Sequence, residues 1–135
     1  MNYTEFIQSV ASKPKMSPAQ AEPITRATLQ TLTERITGGQ ARDLASQLPQ
    51  ELKASVSMAG VNPEPFGLPE FLERVQARAA VDLQAATDGA RAVFDTLREK
   101  ISAKEYGDVV DQLPQDFWQL TGPASSRLET RRVGT

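Results

Sequence analysis

Apolar side chains return at helical spacing along most of the chain, and no useful stretch alternates as a strand requires. Phe6, Ile7 and Val10 give one apolar face to a short helix over Tyr3–Ser12. Asn2 and Glu5 stand three apart at its start, the spacing of a capping box. Ser17-Pro18-Ala19-Gln20 opens a second, longer helix that runs to about residue 36, with Leu29, Leu32 and Ile36 on its buried stripe. Pro23 lies inside that helix, where it removes a backbone donor and crowds the preceding turn, so a kink or a frayed first turn is expected there. Thr37-Gly38-Gly39-Gln40 reads as a turn and a further capping box ahead of a helix over 41–48. Pro49 ends that helix and starts another over 50–57.

The same pattern then returns 65 residues later without insertion. Phe6 and Val10 recur as Phe71 and Val75, Arg26-Ala27 as Arg91-Ala92, and Gln47-Leu48-Pro49-Gln50 as Gln112-Leu113-Pro114-Gln115. Helices are therefore expected over 68–77, 83–101, 105–113 and 115–121. The cap residues recur while Gly38 and Gly39 do not, so cap chemistry rather than glycine is what the geometry needs. The expected architecture is all-α: two tandem four-helix repeats packed as one helical unit. Repeat 1 covers 1–57, a Gly/Pro-rich linker 58–67, repeat 2 residues 68–121, and a mobile basic tail 122–135. A repeat of this size buries too little surface alone, so the halves should share a core.

Composition narrows the chemistry. The 135 residues hold no cysteine and no histidine, which excludes thiol nucleophiles, disulfides, His-based metal sites and triads built on histidine. Carboxylate, lysine or tyrosine chemistry and oxygen-only metal sites remain. Residues 1–30 lack the apolar core of a signal peptide and no apolar run reaches membrane-spanning length, so the cytoplasm is the expected compartment. Charge is uneven: net +1 over residues 1–62, −5 over 63–121 and +2 over the tail. An acidic protein is a poor general partner for nucleic acid.

The strings Tyr3-Thr4-Glu5-Phe6-Ile7-Gln8-Ser9-Val10, Arg26-Ala27-Thr28-Leu29, Glu34-Arg35-Ile36-Thr37-Gly38-Gly39-Gln40-Ala41-Arg42-Asp43-Leu44 and Gln47-Leu48-Pro49, with Leu113-Pro114-Gln115-Asp116-Phe117 in the second copy, resemble domain of unknown function 2267 over about residues 1–121. That resemblance implies a small, soluble, all-helical bacterial protein with a duplicated unit. It implies no activity, cofactor or catalytic residue. Pro23 departs from the usual pattern at the start of the long helix.

Candidate sites are few. Glu5 with Arg26, and Glu70 with Arg91, stand where antiparallel helices would bring them level. They read as structural ion pairs bridging a hairpin, or Glu5 serves only its own cap; a carboxylate catalyst is the weaker alternative. Gly38-Gly39-Gln40 matches the tripeptide of peptide-release factors, but the helix start accounts for it fully. Trp118 replaces Lys53 of the first copy and Tyr106 replaces Ala41. Trp118 either packs beneath the tail or stands partly exposed as a contact point. Together with Asp108, Asp111 and Asp116 these aromatics form the candidate partner surface. The wider acidic set (Asp95, Glu99, Glu105 and those three) is a solvated face, or meets a basic partner, a weakly held divalent cation or the tail's Arg127, Arg131 and Arg132.

The sequence thus points to a non-catalytic cytoplasmic adaptor with an unidentified protein partner and with no catalytic, metal or cofactor residues. The alternatives are a small-ligand sensor using an apolar cleft between the repeats, or weak nucleic-acid association through the tail. A carboxylate enzyme comes last.

Overall fold

The computed structural model describes residues 1–57 and 62–122, and within them the chain is all helical. Eight α-helices follow in order: α1 Tyr3–Ser12, α2 Pro18–Arg35, α3 Gly38–Ala45, α4 Gln50–Ser57, α5 Leu68–Ala79, α6 Leu83–Lys100, α7 Ala103–Asp111 and α8 Trp118–Thr121. A 3₁₀ turn, Gln115–Phe117, leads into α8. The tail lies outside the described residues.

Cap chemistry sets most of these boundaries. Asn2 and Glu5 close a full capping box on α1, and Ser17 with Gln20 closes another on α2. Asp82 caps α6 through the Ala85 amide. The α1–α2 and α5–α6 turns each place a non-glycine residue in the left-handed region, Lys15 at φ 58° and Ala80 at φ 57°. In both, the next amide reaches back to a carbonyl five residues earlier, Met16 to Ala11 and Val81 to Gln76.

Several boundaries differ from expectation. Helix α3 starts at Gly38, directly after its Thr37 cap, and stops at Ala45, because Leu48 precedes a proline and is driven out of helical geometry. Helix α5 runs on to Ala79, where the left-handed Ala80 ends it. The last element splits into a 3₁₀ turn and a short α-helix. Pro23 neither shortens nor interrupts α2.

Helices α1, α2, α5 and α6 form the centre. α1 pairs with α2 and α5 with α6 as hairpins; α2 then lies along α5, α1 along α6, and α2 crosses α6. α4 covers α2, α8 covers α6, and α3 meets α7. One continuous core results. Phe6, Val10, Leu32, Ile36 and Leu48 are buried, as are their counterparts Phe71, Val75, Leu97 and Ile101, but Leu113 is only partly covered. Phe71 sits at the middle of an aromatic group, 5.0 Å from Phe117 edge-on, 6.2 Å from Phe94 and 6.5 Å from Phe66.

Several contacts between the first and second parts of the chain come in pairs related by exchanging residue n with n + 65, although others, such as Ser9–Thr96 and Arg74–Glu34, do not. The Thr37 amide donates to Gln112 Oε1 at 2.8 Å, and the Ser102 amide donates to Gln47 Oε1 at 2.8 Å. Lys13 bridges to Glu99 at 3.2 Å, and Arg78 bridges to Glu34 at 2.7 Å. On the axis of this exchange, matched residues meet each other. Gln40 Nε2 donates to Glu105 Oε2 at 2.6 Å, and Ile24 packs on Gly89. The capping boxes foreseen at α3 and α7 are thus half local: Thr37 and Ser102 cap their own helices, while their own amides are bonded by a glutamine of the other half.

Candidate functional site

Residues of the expected partner surface do not form one exposed face. Tyr106 is 4% exposed and belongs to the core, which corrects the expectation of an aromatic surface there. It lies on the buried stripe Tyr106, Val109 and Val110 of α7, and its counterpart Ala41 is buried as well, so the tyrosine enlarges the filling of a shared core position. Asp108 pairs with Lys104 one turn away at 2.7 Å. Asp116 accepts the Leu68 amide at 2.9 Å and so caps α5 from the far end of the chain. A Cβ on Gly67 would come within 2.7 Å of that carboxylate, so a side chain there would require Asp116 to shift. Asp111 is exposed, and Trp118 is half-buried behind the fully buried Phe117.

Neither expected ion pair forms. Glu5 is occupied by its capping box with Asn2. Arg26 instead bridges to Glu22 at 3.6 Å, donates to the Glu51 carbonyl at 2.9 Å and lies over the Tyr3 ring. Tyr3 also bonds Glu22, and burial first, then that bond, raise its hydroxyl pKa. Glu70 pairs with Arg74, and Arg91 with Asp88 at 3.8 Å while donating to the Gln119 carbonyl. Both arginines tie their long helix to the last helix of the same half, a backbone contact that charge pairing in sequence does not reveal.

The strongest charge cluster is Glu34 with Arg74 and Arg78. Burial alone would raise the Glu34 carboxyl, but hydrogen bonds from Arg78 and Arg74 outweigh it and hold it below its ordinary value. Arg74 also bridges Glu64 and stacks 4.1 Å over Phe66, and Arg35 donates to the Phe66 carbonyl, so residues 62–67 are pinned to α2 and α5. Glu105 is different: it is 7% exposed, and burial pushes its carboxyl up.

A groove of about 520 Å³ opens where the α1–α2 and α5–α6 turns face one another. Met16, Pro23, Ile24, Val81 and Ala85 give it an apolar floor, and Gln20, Gln84, Asp82 and Asp88 set acceptors at its edge. It straddles the exchange axis, since Met16 and Val81 are 65 apart, as are Pro23 and Asp88. Pro23 carries no N–H, so it cannot supply the helical hydrogen bond to the Ala19 carbonyl. A smaller recess of about 290 Å³ adjoins it, lined by Tyr3, Ile7, Pro18, Ala19 and Glu22. Nothing in the sequence signalled the groove; Pro23, on its floor, reads along the chain only as a kink or a frayed first turn.

A family profile described as "Uncharacterized conserved protein (DUF2267)" matches residues 3–120. The chain belongs to the DUF2267 family. A comparison with curated proteins returned no match. The matched span of this DUF2267 chain includes every helix that lines the groove and all but the final residue of α8. The family description carries no activity, so the chemistry of the site rests on the residues themselves.

Proposed function

We propose that this DUF2267 protein is a non-catalytic, cytoplasmic interaction module of two tandem four-helix repeats. In this reading the groove between α2 and α6 receives a short basic segment of a partner protein. The groove is the observation that carries the proposal. Its apolar floor suits the alkyl face of a peptide, and its edge carries Asp82, which also caps α6, and Asp88, which also faces Arg91 at 3.8 Å, with no lysine or arginine among the described residues lining it. The duplicated reading is supported by element starts 65 apart and by the paired contacts between halves. Absence of histidine and cysteine from the sequence supports the non-catalytic part.

The test is a titration of the isotope-labelled protein with a synthetic peptide of alternating leucine and arginine, and with a control carrying glutamate for arginine. Saturable shifts at Met16, Val81 and Ala85 with the basic peptide only, lost in Ala85→Arg, are expected. Shifts centred on Trp118, or equal shifts with both peptides, would remove the groove from consideration. A small apolar ligand in the same cleft is the second reading, because the floor alone would hold it; it predicts binding that is indifferent to peptide charge.

A further inference from the structure

The paired contacts raise a question of partner choice. A face that meets its own counterpart across a two-fold could meet the identical half of a second chain equally well. Most of the observed contacts would permit that. Like-half pairing would trade Lys13–Glu99 and Arg78–Glu34 for Lys13–Glu34 and Arg78–Glu99, still opposite in sign. The Gln47 and Gln112 caps would find equivalent amides. Two places on the axis differ. At Ile24/Gly89 a Cβ on residue 89 would stand 2.4 Å from Ile24 Cγ2, so two isoleucines cannot share the crossing, and two glycines would leave it unfilled. At Gln40/Glu105 the amide donates to a 7% exposed carboxylate, whereas two glutamates there would bury like charges together.

We infer that Ile24/Gly89 and Gln40/Glu105 are the selectivity positions of the inter-half interface: they make each half complementary to the other and refuse the like half of a second copy. The other charged groups facing Glu105 are Asp43 from α3 and Lys104 and Asp108 from α7. The two acids oppose ionisation of Glu105 and the lysine favours it, so a second carboxylate on the axis meets a site already short of positive charge.

Each like-half axis can be written into one full-length chain. Gln40→Glu creates the Glu/Glu axis and Gly89→Ile the Ile/Ile axis. Exchange variants Gln40→Glu/Glu105→Gln and Ile24→Gly/Gly89→Ile keep the unlike pairing but reverse it. Gln40→Glu should melt roughly 5–15 °C below wild type at pH 7.5, and the gap should shrink at pH 4, where a shared proton removes the repulsion. Should it fail to fold at pH 7.5, the pH 4 melt reads the same effect. The exchanged carboxamide pair should return close to the wild-type melting temperature at both pH values. Gly89→Ile should lose its cooperative melt or most of its stability, and Ile24→Gly/Gly89→Ile should regain more than half of that loss. A Gln40→Glu protein as stable as wild type at pH 7.5, or exchange variants no better than the single variants, would overturn the inference.

Discussion

Phe71→Ala removes the side chain on which the aromatic group of the second half converges. The ring is fully buried, and it meets Phe117 edge-on at 5.0 Å with an interplanar angle of 81°. Truncating a buried phenylalanine costs about 3–5 kcal/mol, the loss combining transfer of the ring with the void it leaves. A residual void on the order of 50–100 Å³ accounts for about 1–2.5 kcal/mol of this. The edge-on pair contributes about 0.5–1.5 kcal/mol beyond burial, which places Phe71→Ala toward the upper end of the range. For a domain of this length, about 3–5 °C of melting temperature accompanies each kcal/mol, so a drop of roughly 12–20 °C is expected. Urea unfolding followed by far-UV circular dichroism measures the free energy directly, with an unchanged m-value showing that the unfolded state is not the source. Phe71→Leu, which keeps most of the volume but no ring, should cost roughly 1–2 kcal/mol. A loss below about 1 kcal/mol for Phe71→Ala, or equal losses for the two variants, would refute the account of this core.

Ala80→Gly and Lys15→Gly relieve a left-handed residue in each hairpin turn and should each stabilise by about 0.5–1 kcal/mol, read as a higher melting temperature; destabilisation would mean that these side chains hold the turns. Glu34→Gln removes the carboxylate shared by Arg74 and Arg78 and should cost roughly 1–3 kcal/mol at pH 7. Because Glu34 is held below its ordinary pKa when folded, its contribution is present above the usual carboxylate range and fades as pH falls through the depressed value. The wild-type and Glu34→Gln curves of stability against pH should therefore converge in acid, and a constant gap would show that the loss is not electrostatic.

What could be read along the chain was whatever is local. Asn2/Glu5, Ser17/Gln20 and Asp82 announce helix starts because a cap acts within three residues, and the structure places helices directly after them. Phe6 and Phe71 announce core for the same reason: their spacing marks a face. The failures are non-local. Gln47 and Gln112 look like turn residues before a proline, and nothing near them in sequence shows that their amides serve the other half. Asp116 looks like part of an acidic face, yet its acceptor role depends on α5, nearly fifty residues earlier. Tyr106 looked like added surface because its counterpart is a small alanine, but size at a core position says nothing about exposure. The repetition of Gln47 and Gln112 was the one visible sign that these glutamines do more than end a helix.

The exchange relation between the halves also bears on how such a chain can grow. Repeat arrays lengthen because each unit leaves one face for the next, so a third or tenth copy finds the same welcome as the second. Here α2 packs on α5, α1 on α6 and α3 on α7, so these faces are already covered. Under the proposed two-repeat reading, another copy appended after α8 would find, among the described residues, the faces of α1 and α5 already covered. On that reading duplication would terminate itself at two, and longer chains of the same unit would have to add closed pairs rather than single repeats.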